Sequence, residues 1–405
     1  MRFVIAWRNL VAKPVQSGLT VMIVAATITM LAVVTLLSTG THNGLVRATE
    51  PFDLIVGAKG SPNQLVLNTV FLQDAPIGNV SQQTYKKLSA DPLVAAAIPL
   101  AFGDNYKGYT IVGSGDAIFQ HEPKAGQPTW LQLAEGRPFA LPFEAVVGAK
   151  TAQKLGLKLG DEMKSTHGFI PGGQAHDHAY HVVGILKSVN GPYDQVILVP
   201  IESIWLAHEK HESTPGAVAI EDNQEHEHEH EVTAILVKPK GYSEAMRLYQ
   251  QFQREPGSQM VFPAQVIVQL FAMLGQGERM LTAVSYVIIV IGLMIMALSV
   301  YWSALSRVRD RAILRALGAS ARDIFTIIVA ESALLTILGV GLGILTGHGI
   351  YSLLVIAMES KTAIVLTAGV TSAELYIILG GILFGMLAGL IPAVLTYRTE
   401  VAHYL

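Results

Sequence analysis

The sequence predicts a membrane protein with four transmembrane α-helices and an α+β extracytoplasmic domain inserted between helices 1 and 2. Three observations predict it. Hydrophobic residues make up 51% of the 405 and charged residues only 15%, where soluble domains carry roughly 25% charged. Four runs are long and apolar enough to cross a bilayer, which takes about 20 residues. The lysines and arginines flanking those runs sort to one side, which the positive-inside rule assigns to the cytoplasm.

In chain order, residues 1–14 form an amphipathic helix. Phe3, Val4, Trp7, Leu10 and Val11 recur at helical spacing, while Arg2, Arg8, Asn9 and Lys13 hold the other face. That pattern suits the inner-leaflet interface, and Pro14 disfavours a straight continuation into the next helix. Residues 15–39 are the first span. It is read as an uncleaved anchor, since its apolar run exceeds that of a signal peptide and no A-x-A site follows. Residues 40–277 form the external domain. Residues 278–405 hold three more spans, at about 281–305, 324–356 and 375–397, with a loop at 306–323. Arg2, Arg8 and Lys13 precede the first span, five arginines (Arg307, Arg309, Arg311, Arg315, Arg322) fill that loop, and Arg398 follows the fourth span. Both termini are therefore expected in the cytoplasm.

The external domain reads as α+β, in one lobe or two. Strand-type runs fall at 53–56, 109–112, 145–147, 180–186, 195–199 and 233–237. Helical runs fall at 81–89, 150–155, 201–207 and 243–253, with Gly and Pro punctuating throughout. The segment 221–231 is a His/Glu-rich loop.

In the 306–323 loop, Arg307, Arg311 and Arg315 share one helical face and Val308, Ala312 and Ala316 another. Gly318 is placed to end this short helix. Ser320 and Asp323 form an S-x-x-D capping box for the third span. Spacing alone leaves two readings: a positive-inside anchor, or a preformed lever that takes force from a cytoplasmic engine. Gly339, Gly343 and Gly347 recur every four residues in the third span, as do Gly381, Gly385 and Gly389 in the fourth. Such rows make smooth faces for close helix packing. Glu331 and His348 are polar residues in apolar surroundings, each expected to have a structural partner.

Nine of the 13 histidines lie between His167 and His230. One set is His176, Asp177, His178 and His181; a second is His208 to Glu212; the third alternates His226, His228 and His230 with glutamates. Imidazole and carboxylate suit transition metals such as zinc. His176, His178, His181, His226, His228 and His230 are the candidate ligands, and a solvated loop with no cognate ion is the other reading. The string HEKHE lacks the second histidine of the H-E-x-x-H metalloprotease signature. With no cysteine, thiolate sites and disulfides are excluded. No P-loop is present, so ATP is not bound through one here, and the net charge of −3 argues against a nucleic-acid partner.

Residues 311–318, RAILRALG, followed by Ala319 and Ser320, resemble a string of the permease subunits of MacB/FtsX/LolC-type ABC transporters. The closing segment from Gly389 through Pro392 and Arg398 is similar to that family's C-terminus, with Val401 near the place of its second proline. Residues 145–161, AVVGAKTAQKLGLKLGD, and 181–186, HVVGIL, resemble its external domain. The resemblance implies a non-enzymatic membrane subunit in a bacterial cytoplasmic (inner) membrane. It implies a cytoplasmic ABC ATPase partner that binds ATP-Mg, and a second permease copy. Arg307, Arg311, Arg315, Leu317 and Gly318 would then couple the ATPase to the spans. It leaves two functions open: conformational work on a lipid, lipoprotein, peptide or metal-linked partner in the periplasm, or an FtsX-like scaffold that switches a cell-wall hydrolase or sensor.

Overall fold

A computed structural model describes residues 2–124, 126–168, 175–209, 230–270, 318–359 and 372–398, together with residue 272 and scattered positions between 287 and 314. The chain forms two compact units. One comprises 1–42, 275–358 and 366–405; the other comprises 43–274 and 359–365.

Helix α1 (Arg2–Ala12) ends where Pro14 begins α2 (Pro14–Thr49), because proline is preorganised for a first helical turn but cannot donate within one. The sheet domain follows: β1 (Leu54–Ala58), α3 (Pro62–Phe71), α4 (Gln82–Ser89), β2 (Val94–Tyr106), β3 (Tyr109–Ser114), β4 (Leu133–Gly136), β5 (Glu144–Val147), α5 (Ala149–Leu155), β6 (Glu162–His167), β7 (Ala175–Leu186), β8 (Ile197–Pro200), α6 (Ile201–Glu209), β9 (Ala234–Pro239), α7 (Tyr242–Phe252) and β10 (Ser258–Val261). Two long helices close the chain, α8 (Ala321–Glu359) and α9 (Ser372–Arg398).

Three helices among the described residues are long and apolar enough to span a membrane: α2, residues 321–358 of α8, and residues 374–391 of α9. The described residues of 281–305 are helical. The first helix runs ten residues past the expected end of its span at residue 39. Gly40–Thr49 is polar enough for water and contains no proline; Pro51 is the first residue to forbid continuation.

The glycine rows lie at helix contacts. A Cβ at Gly339 would fall 2.6 Å from the Val24 side chain, at Gly343 2.7 Å from Ile28 and 2.8 Å from the Ala25 carbonyl, and at Gly347 2.9 Å from Ala32. Thus α8 meets α2 at a distance only glycine permits. On α9, Gly381 faces Ile28 and Val340, Gly385 faces Thr336, and Gly389 faces Ser332. The polar residues are partnered: Asn9 Nδ2 donates to Glu331 Oε1 at 2.7 Å, and His348 Nε2 lies 3.1 Å from the buried Glu374. Ala6 and Leu10 of α1 are buried, Ala6 against Ile327 and Ala330 of α8, while Phe3, Val4, Trp7 and Val11 stay exposed. Those four apolar side chains form an unburied face of α1.

The second unit is built on one ten-stranded sheet, in the order β10-β1-β9-β2-β3-β8-β5-β7-β4, with β6 pairing β2 and β7. Most pairs are antiparallel; β3–β8 and β5–β7 are parallel. Both faces are covered. Ile55, Val146, Leu198 and Leu236 pack toward α3, whereas their strand neighbours Leu54, Val56, Val147, Ile197 and Ile235 pack toward α4, α5, α6 and α7, as the period of two dictates. The expected strand–helix–turn at 145–161 is β5, α5 and two left-handed glycines, with Asp161 accepting from the Lys158 amide at 2.8 Å.

Two predictions follow from this packing. Gly343→Ala should lower the thermal stability of the purified protein by about 1–3 kcal/mol through overpacking, whereas Gly341→Ala, which meets nothing within 4 Å, should leave it unchanged or slightly raised. Equal melting curves for the two variants would contradict the α2–α8 contact. In the sheet domain, the Arg137 guanidinium grips Glu144 in a two-pronged ion pair, and the Ala140 and Leu141 amides add hydrogen bonds at 2.8 and 3.1 Å. Arg137 first, and those amides with it, hold the carboxyl down at about 2 against an ordinary 4.5. A depressed carboxyl stabilises the fold above its unfolded pKa and loses that stabilisation as protons bind. The gap in stability between the native chain and Glu144→Gln should therefore be full above about pH 4.5 and should close as pH falls toward 2, by chemical unfolding at stepped pH.

Candidate metal centre in the sheet domain

Four side chains converge where β2, β6, β7 and α6 meet: Asp104, His167, His176 and His208. Local structure brings each there. A register shift in the β2–β3 pairing falls between Phe102 and Asp104, and such a bulge re-aims the side chains beside it. Strand pairing sets Asp104 directly opposite His167. The return strand β7 brings in His176, one residue beyond Ala175, which pairs Thr166. Asn105 Nδ2 donates to the Gly168 carbonyl at 2.6 Å and the Gly168 amide donates to the Gly103 carbonyl at 2.8 Å, fastening the end of β6 to β2. Helix α6 packs on β2, β3, β7 and β8 and presents His208 from its last turn.

The ligand atoms lie within 4.8 Å of one another. Asp104 Oδ1 is 3.2 Å from His176 Nε2, 3.5 Å from His167 Nδ1 and 3.6 Å from His208 Nε2, and the last two nitrogens are 3.2 Å apart. The three imidazole rings form a triangle with centroids 5.1 to 5.8 Å apart. Bond lengths of about 2.0–2.2 Å to zinc place neighbouring ligands of a tetrahedron roughly 3.3 Å apart; the four separations given are close to that, while the whole set spreads to 4.8 Å.

Burial is graded. The Asp104 side chain is fully enclosed and that of His176 nearly so (0% and 2% exposed), while those of His167 and His208 are 57% and 34% exposed. The centre thus has a closed floor and an open mouth. Asp104 Oδ2 is buried without a hydrogen-bond partner among the described residues, an expensive state for a carboxylate oxygen unless a cation is near. His208 Nδ1 lies 2.7 Å from the Ile204 carbonyl. A carbonyl only accepts, so that nitrogen donates and Nε2 is the one turned toward the cluster, the outer-sphere arrangement that orients metal-binding histidines. Burial, together with the Asp104 charge, pushes the nearby Tyr180 phenol above its ordinary range.

The structure separates the histidines grouped by sequence. His176 joins the centre. His178 stacks on Phe143 with centroids 4.7 Å apart. His181 faces Glu162 at 3.7 Å in an exposed pair. His230 lies against Trp205, 4.5 Å between centroids. His226 and His228 lie outside the described residues. His208 stood in a His/Glu set that the sequence offered, but Asp104 and His167 carried no motif; only strand pairing joins them. Of the coupling residues, Arg307, Arg311, Arg315 and Leu317 lie outside the described residues. Gly318 takes the left-handed φ of +100°, the Ala319 amide donates to the Leu314 carbonyl at 3.0 Å, and Ser320 and Asp323 exchange backbone–side-chain hydrogen bonds of 3.2 and 3.1 Å. This is a Schellman stop followed by a capping box.

Comparison with known proteins places this architecture. The FtsX-like permease C-terminal family matches residues 282–401, and the MacB-like periplasmic core domain family matches residues 17–252. An uncharacterized ABC transporter permease of Bacillus subtilis (strain 168), YvrN, is 23% identical over 336 residues, covering 76% of this chain and 75% of that one. Among solved structures, the extracellular domain of the noncanonic ABC-type transporter YknZ from Gram-positive bacteria is similar at 15% identity and TM-score 0.30, over 51% of this chain and 98% of that one. The periplasmic region of MacB from Actinobacillus actinomycetemcomitans is similar at 10% identity and TM-score 0.33, over 54% and 94%. Since the core-domain match alone takes in more than half of the sequence, and the permease match most of the remainder, the chain belongs to the MacB/FtsX family of ABC transporter permeases.

Proposed function

We propose that this chain is the membrane subunit that turns ATP hydrolysis on a separate cytoplasmic ABC ATPase into conformational work on an extracytoplasmic substrate: a lipid, lipoprotein, peptide or metal-linked partner. Family membership implies the ATPase and a second permease copy. In this reading both termini and the loop at 306–323 face the cytoplasm, the chain crosses the membrane four times, and the sheet domain works outside it.

The observation that carries the mechanism is the stiff junction at 318–323. The Schellman stop and the capping box fix the backbone on both sides of it, so displacement of the preceding segment reaches α8 with little slack. The α8 glycine row then bears on α2, and the two helices move as one body. Helix α2 continues unbroken to Thr49. At about 1.5 Å per residue its 36 residues extend roughly 54 Å, well beyond the roughly 30 Å of hydrocarbon.

The Arg311→Glu/Arg315→Glu double variant should insert normally yet lose its engine. Mg-ATPase activity that co-purifies with the native chain should fall to background in the variant. Retention of that activity would overturn the coupling assignment.

A further inference from the structure

We propose that Asp104, His167, His176 and His208 form a resident transition-metal site of the sheet domain, and that its cognate ion is a divalent cation of the zinc type. Three imidazole nitrogens and one carboxylate oxygen make a four-coordinate donor set. Nitrogen donors disfavour the hard cations magnesium and calcium, which take oxygen cages, and the absence of thiolates disfavours copper(I). Imidazole separations of 3.2–3.6 Å from Asp104 Oδ1 and the full enclosure of that carboxylate fit zinc. Asp104 Oδ2, the other oxygen of the enclosed carboxylate, has no hydrogen-bond partner among the described residues.

The site has a mechanical consequence. His208 belongs to α6, whereas the other three ligands belong to the strands beneath it. An ion therefore pins the last turn of α6 to β2, β6 and β7. The described end of the His/Glu-rich stretch rests on the same helix: Trp205 packs on His230 and donates to the Glu231 carbonyl at 3.0 Å. This inference does not rest on the ATP-driven function proposed above and stands or falls separately.

The test uses the full-length protein in detergent or nanodiscs, titrated with Co²⁺ and then Zn²⁺. One equivalent of Co²⁺ should give the intense visible bands of tetrahedral coordination, and Zn²⁺ should bleach them. His176→Ala and Asp104→Ala should weaken Zn²⁺ binding by on the order of 100-fold or more. Because the chain contains no cysteine, His208→Cys supplies a unique reporter. It should retain binding and add a thiolate-to-cobalt charge-transfer band, a signal that a merely folded variant does not produce. Deleting residues 221–229 should leave both spectra in place. Weak octahedral spectra, no charge-transfer band from His208→Cys, or binding that disappears with residues 221–229 but survives Asp104→Ala would each overturn the proposal. The first two would leave a hydrogen-bonded His/Asp cluster, and the last would move the ion to the His/Glu stretch.

Discussion

The contact on which the membrane unit depends is the close approach of α8 to α2 along Gly339, Gly343 and Gly347. Lipid gives two apolar helices little reason to associate, because a helix face is as well solvated by acyl chains as by another helix. What holds them is dispersion at short range, and that range is reached only where no Cβ intervenes. Thr29 strengthens the same seam, donating to the Gly343 carbonyl at 3.1 Å. A seam this tight resists shear between the two helices.

The sheet domain solves a different problem. Its central strands are buried on both faces, so it is rigid enough to act as a folded body. The Asp/His centre sits where a bulged strand, the β6–β7 pair and the last turn of α6 meet. Polar groups there are held by each other and, in the reading developed above, by an ion. At the membrane seam a close approach is tolerated only where the chain has removed the steric obstacle to it.

Much of the membrane part was legible because its signals are local. Apolar run lengths, the four-residue glycine period and the S-x-x-D box each lie within a few turns of helix, and Gly318 and Ser320 behave as their spacing implied. Helix α2 runs on past residue 39 to Thr49, which hydropathy does not report, since it marks where an apolar run stops and not where a helix stops. In the sheet domain β2 escaped detection. VAAAIPLAFGDNY has no alternation and contains both Pro and Gly, since a strand covered on both faces is under no pressure to alternate. Strand β6 was hidden for the opposite reason, being short and polar. The Asp/His centre inherits both failures. Histidine clustering pointed to His176, yet Asp104 and His167 sit on two of the unread strands, and the runs His176–His181 and His226–His230 drew attention by composition rather than by geometry.

The central claim is that α8 and α2 carry ATP-driven motion to the sheet domain as one rigid body. The cysteine-free chain allows a direct measurement. Thr29 and Thr346 touch across the seam through their hydroxyls, so a Thr29→Cys/Thr346→Cys disulfide would lock it, and a fluorophore on a third introduced cysteine in the sheet domain, labelled after the lock is formed, would report movement on addition of ATP to the complex with its ATPase. The account predicts the same ATP-dependent signal with the seam locked as with it reduced. A signal abolished by the lock and restored by reductant would show that the helices slide, and would contradict it.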